Sequence, residues 1–144
     1  MANHPQALKR ARQSEKRRQR NMAVKSRIRT RVRALRYSVD QLNQLRAGRH
    51  IHPQEVEKHL RWLTEGKASD LKAGGGENLL KDATALLSKY DSEKHTALLT
   101  ALAHHDLSES TRLLAKAASK GVYHKKTAGR RISRLTKMVN AIDA

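Results

Sequence analysis

Cysteine and phenylalanine are absent from this chain of 144 residues, and aromatic side chains make up only 3% of it. Without cysteine, disulfide frameworks and thiolate zinc sites are excluded. With three Tyr, one Trp and no Phe, the chain cannot build an aromatic sheet of the kind that reads single strands by stacking. Proline occurs only at positions 5 and 53, so long stretches contain no helix breaker. No run of about 18 apolar residues exists, which removes a membrane-spanning helix. Acidic residues are also few, 13 against 31 Lys and Arg, and the formal charge is +18.

The length suits one domain, with a small core built mainly from 18 Leu and from Ala. The charge is unevenly placed. Residues 1–36 hold 13 cations and one acid, Glu15; residues 37–120 hold 12 and 11; residues 121–144 hold six and one, Asp143. The middle is an ordinary globular composition between two cationic ends. Such an excess demands a polyanionic partner. The N-terminus has no apolar h-region, so no secretory signal is expected, and residues 9–20 are polar on every side, unlike an amphipathic transit peptide.

Strand-like alternation is absent and the chain reads as all-α. From Pro5 to Ala47 nothing breaks a helix, and Gly48 offers a C-cap. Ile28, Val32, Leu35, Val39 and Leu42 recur at steps of four, three, four and three, a helical seam with an arc of about 80°. Arg29, Arg33 and Arg36 lie opposite, and Arg18 and Lys25 extend that stripe, while Arg27 and Arg31 flank the seam. Between Lys9 and Arg20 basic residues point in all directions with no apolar stripe. That segment is expected to be a disordered arm alone, or a helix once a polyanion neutralises it.

Pro53 with Val56, Leu60 and Leu63 predicts a short helix closed by Gly66, and residues 67–76 read as a linker. Leu79 to Tyr90 marks another helix, and Asp91 or Ser92 caps a restart through Leu98, Leu99 and Leu102. Asp106 with Glu109 reads as a capping box opening a helix to Lys120. A last helix carries Ala128, Ile132, Leu135, Val139 and Ile142. The tripeptide Glu-Lys-His at 57–59 and 93–95 reads as a chance echo. The expected organisation is a single domain: a basic first helix over 1–47, a helical elaboration over 48–105, and two further core helices over 106–144.

Catalysis has no support, because no nucleophile–base pair stands out. His50 and His52, or His104 and His105, lack the helical i, i+4 spacing of a zinc site and are expected to be solvated loop histidines. Gly74-Gly75-Gly76 lacks the Gly-Lys-Ser/Thr of a phosphate loop and reads as linker. No metal, cofactor, small-molecule substrate or membrane contact is expected. What remains is phosphate neutralisation by Lys and Arg, with bidentate pairing from Arg. A DNA-binding protein of histone-like or architectural type is the alternative reading.

The ends carry a resemblance. Met1-Ala2-Asn3, the run Leu8-Lys9-Arg10-Ala11-Arg12-Gln13-Ser14-Glu15-Lys16-Arg17-Arg18, then Asn21, Ser26 and Arg29-Thr30 resemble the N-terminus of the bacterial small-subunit ribosomal protein S20 family. Ala118 to Lys126, with Ala128, Arg130, Ser133-Arg134-Leu135 and Val139-Asn140, is similar to that family's closing segment. The resemblance implies a three-helix bundle with a long basic first helix. It implies direct binding to small-subunit (16S-type) ribosomal RNA in support of its folding and assembly. The RNA-facing residues it implies are Lys9, Arg10, Arg12, Gln13, Ser14, Lys16, Arg17, Arg18, Asn21, Ser26 and Arg29, with His124, Lys125, Lys126, Arg130, Arg131 and Arg134 at the other end. The basic run ending at Arg20 adds that residue, and the charge stripe adds Lys25 and Arg33. His124 also reads as a helix cap. The stretch from Arg49 to His105 has no counterpart in that family as read from the ends, and is expected to be an insertion remote from the RNA. It would offer a contact to a neighbouring ribosomal protein, with Trp62 either there or, preferably, in the core. The expected location is the ribosome, cytoplasmic or organellar.

Overall fold

The computed structural model describes residues 4–49 and 52–143 and is helical almost throughout. Among the described residues six α-helices follow one another: α1 (Pro5–Arg46), α2 (Pro53–Arg61), α3 (Ala68–Ala73), α4 (Glu77–Ser88), α5 (Ser92–Ser119) and α6 (Lys125–Asp143). A single π-helical turn, Trp62–Gly66, joins α2 to α3. His50 lies outside the described residues.

The ends of these helices follow from local chemistry. Pro5 and Pro53 occupy the first turns of α1 and α2, where a missing N–H costs nothing. His4 and His52 cap the same two helices, their Nδ1 atoms accepting from the amides of Gln6 and Gln54. Asp91 caps α5, its Oδ1 accepting from the amides of Glu93 and Lys94. Gly48 and Gly121 follow α1 and α5 with φ of 68° and 69°, the left-handed geometry that closes a helix at little cost only for glycine.

Three long helices form the main bundle. Ile28, Leu35, Val39 and Leu42 of α1 pack with Leu99, Ala103, Leu114 and Ala117 of α5 and with Leu135, Val139 and Ile142 of α6. The expected seams are therefore the packing faces. A fully buried Leu contributes about 1.5–3 kcal/mol, and Leu35, Leu42, Leu99 and Leu114 are all sealed from solvent. The Arg46 guanidinium donates to the Ile142 carbonyl, tying the last turns of α1 and α6 together. A second cluster stands beside the C-terminal part of α1. Val56, Leu60, Leu63, Leu71, Leu80, Ala83 and Leu86 close there on Leu98 and Leu102 of α5, and Leu45 of α1 packs against both clusters.

Four local expectations give way here. The helix expected to open at Asp106 begins at Ser92, so the division expected at residue 105 falls inside one helix. Asp106 is a buried mid-helix residue, paired with Arg31 at 3.5 Å. Residues 68–73 of the supposed linker are helical, anchored by buried Leu71. His104 and His105 stand in α5 and not in a loop: His104 is 3.2 Å from Asp143, and His105 is the same distance from the Gly74 carbonyl. Trp62 is 43% exposed. Val56, Leu60 and Leu63 form the inward stripe, and at about 100° per residue Trp62 falls well outside it.

Candidate nucleic-acid interface

The 42 residues of α1 span about 63 Å at 1.5 Å each. No described residue before Ile28 is buried, so the helix runs past the bundle by about five turns. The helical register makes this overhang informative. Arg10, Gln13, Arg17 and Asn21 lead by steps of three and four into Val24 and Ile28. They continue the face that packs the core. Where the bundle ends, the residues on that face change from apolar to hydrogen-bonding and cationic. On the outward side Lys25, Arg29, Arg33 and Arg36 form an exposed stripe.

Glu15 is the one acid of this region. Its carboxylate accepts from Arg18 Nε at 2.8 Å and from Gln19, and the Arg18 hydrogen bond holds its pKa below the usual carboxylate range. Glu15 stays ionised and occupies Arg18, leaving its neighbours unopposed.

At the other end His124 caps α6, its Nδ1 accepting from the Lys126 amide at 3.3 Å. Lys125 and Lys126 follow in the first turn. Neither α1 nor α6 carries an acid in its first turn, although the positive pole of the macrodipole favours one there. Cations at that pole oppose helix stability and favour an anionic ligand.

The two basic ends meet at Tyr123. Lys25 Nζ of α1 lies 5.9 Å from the ring centroid, and the Arg131 guanidinium of α6 lies 4.8 Å from it. Arg131 also donates to the Tyr123 hydroxyl at 3.2 Å. Every one of the expected contact residues, from Lys9 to Arg33 and from His124 to Arg134, is solvent-exposed. Arg31 is the exception among the cations of α1 and is not one of the expected contact residues. It is 8% exposed and turned inward, with Asp70 Oδ2 at 3.3 Å. Sequence reasoning missed Tyr123 as the link, though a lone Tyr between Gly121 and a Lys pair was the available signal. Among the described residues no group of three or more His, Asp and Glu could hold a metal, and no helix is long and apolar enough to cross a membrane.

The family model described as ribosomal protein S20 matches residues 2–60 and 76–140. The chain belongs to this family. As a member it is a structural protein of the small ribosomal subunit, and the family is not an enzyme class. Small ribosomal subunit protein bS20 of Nitratidesulfovibrio vulgaris (strain DP4) is 35% identical over 142 residues, 99% of this chain and 99% of that protein. The bS20 protein of Oleidesulfovibrio alaskensis is 32% identical over 143 residues, 99% of this chain and all of its own. The bS20 protein of Desulfotalea psychrophila is 74% identical over 31 residues, 22% of this chain and 35% of that protein. No solved structure matches the chain. The insertion expected over residues 49–105 is corrected by these matches. Between residues 2 and 140 only 61–75 fall outside the family model, and full-length relatives align across them. The π-turn and α3 occupy that stretch.

Proposed function

We propose that this chain binds small-subunit (16S-type) ribosomal RNA directly, through the overhanging half of α1, its outward stripe and the first turns of α6. Binding is to backbone and shape. Arg and Lys neutralise phosphates, while Gln13, Ser14, Asn21 and Ser26 supply hydrogen bonds to phosphate or ribose oxygens. The observation that carries this reading is the Tyr123 bridge, which joins the two cationic ends into one exposed surface. By straddling RNA segments with a helix that the RNA itself orders, the protein supports folding and assembly of the subunit. The site of action is the ribosome, in the cytoplasm.

A competition assay at fixed salt between ribosomal RNA fragments and duplex DNA tests the reading. Preference for RNA is the expected result, because A-form shape and the 2′-hydroxyl are the features by which a protein distinguishes the two. Equal affinity would favour an architectural DNA-binding role. The opposite end of the molecule supports a different contact. The second cluster is nearly neutral, and it leaves Trp62 and Tyr90 exposed by 43% and 54%, the kind of surface a neighbouring ribosomal protein covers. Replacing Trp62 with Ser should leave RNA affinity unchanged and weaken retention on assembled subunits.

A further inference from the structure

A buried polar node lies between α1, α3 and α5. Arg31 reaches Asp106 and Asp70 at 3.5 and 3.3 Å. Lys67, 6% exposed, lies within electrostatic reach of all three, and its Nζ is 4.4 Å from the Trp62 ring centroid. At the edge of this node stands His105. Its Nε2 is 3.2 Å from the Gly74 carbonyl oxygen, and its Nδ1 is 3.7 Å from Asp106 Oδ1. Both ring nitrogens thus face oxygen acceptors. Nδ1 and Asp106 Oδ1 are both buried without a hydrogen-bond partner. A neutral imidazole has one N–H, so either tautomer sets a lone pair against an oxygen, and only the imidazolium presents an N–H to both. Gly74 makes this approach possible, since a Cβ there would sit 2.8 Å from His105 Nε2.

We propose that His105 is a proton-operated clasp holding the stretch 61–75 onto the α1–α5 bundle. Protonated, it donates to the Gly74 carbonyl while its charge faces the Asp106 carboxylate 3.7 Å away on its own helix. Neutral, with its proton held on Nδ1 beside that carboxylate, it turns a lone pair on the Gly74 oxygen, and the link to the stretch is lost. Because Asp70 lies on the same stretch, loosening it also removes one carboxylate from Arg31 of the RNA-facing helix.

The charged groups acting on the ring are Asp106 and Glu109 of α5 and Arg31 of α1, with Asp70 and Lys67 beyond them around Arg31 and Asp106. The Asp106 contact raises the His105 pKa above the ordinary histidine value, against burial and Arg31. A raised folded-state pKa gives stabilisation that is complete below about 6.5 and is lost as pH rises through the folded value. The other buried histidines work in the opposite window. Burial lowers His95, and it lowers His59 to about 4, so their contribution is lost as pH falls from about 6.5.

Trp62, the single tryptophan, reports on the stretch. In the full chain between pH 6 and 9, the His105 ring protons followed by NMR should titrate with a midpoint above 6.5. Trp62 emission should shift with the same midpoint. His105→Gln should abolish that emission change with helix content intact. Gly74→Ala, which pushes the ring away, should move the His105 midpoint down toward 6.5. A wild-type midpoint at or below 6.5, or a Trp62 transition that survives His105→Gln, would overturn the proposal.

Discussion

The two halves of α1 differ in what each gains from being helical. From Val24 to Arg46 the helix buries Ile28, Leu35, Val39 and Leu42 against α5 and α6, and tertiary packing carries its stability. From Pro5 to Ala23 it buries nothing. Its internal support is the Glu15–Arg18 pair, the Gln19 bond and the His4 cap, set against repulsion among seven cations from Lys9 to Arg20. Helix formation without a face to bury is marginal in water. The first half is therefore helical at the expense of the packing that makes the second half rigid, and what it keeps free is charge.

Amide hydrogen exchange on the free protein gives the largest contrast. Protection in residues 28–42 should approach the global unfolding limit, and residues 5–23 should exchange nearly as an open chain, differing by orders of magnitude. Adding RNA should protect the first half. Equal protection of both halves in free protein would remove the distinction. Next in size is Arg31→Met, which removes the cation turned into the bundle and leaves Asp106 buried without it. A loss of about 3–5 kcal/mol in denaturant unfolding is expected, with little change in RNA affinity of the folded protein.

The converse pair, Arg17→Glu with Arg18→Glu, should weaken RNA binding about tenfold or more near 0.1 M salt and flatten its salt dependence by about one counterion, Arg18 being already occupied by Glu15. Unfolding should move by less than about 0.5 kcal/mol. Unchanged affinity would place the contact outside the overhang. Smallest of all, Glu15→Gln frees Arg18 and should strengthen binding by a few-fold, steepening the salt slope by about one. Weaker binding would mean that Glu15 positions Arg18 rather than occupying it.

Legibility in the sequence tracked the range of the interactions involved. The seams of α1 and α6, the Asp91 cap and the terminal Gly48 and Gly121 are written in spacings of a few residues, and each stands where the pattern put it. Asp106 was misread because Asp followed by Glu109 imitates a capping box. Its meaning depends on Arg31, 75 residues earlier, and no local pattern carries that pairing. The Gly-rich stretch after Lys67 looked like a linker because one buried Leu, Leu71, suffices to fix a short helix. For the interface, the exposed cations were readable one by one from composition and from the resemblance at both ends. Their union was not, since it rests on a Tyr placed between helices that begin 120 residues apart.

That union sets a schedule. Arg131 comes from α6, which follows α1 by about 80 residues in chain order, and until it closes over Tyr123 the cationic surface has only its first half. A nascent chain can touch a phosphate backbone early with α1, but the two-sided grip exists only after the C-terminal segment has emerged and docked. Under the proposed RNA contact, the full grip is thereby tied to a chain that carries a docked α6, and a product lacking α6 should bind RNA more weakly.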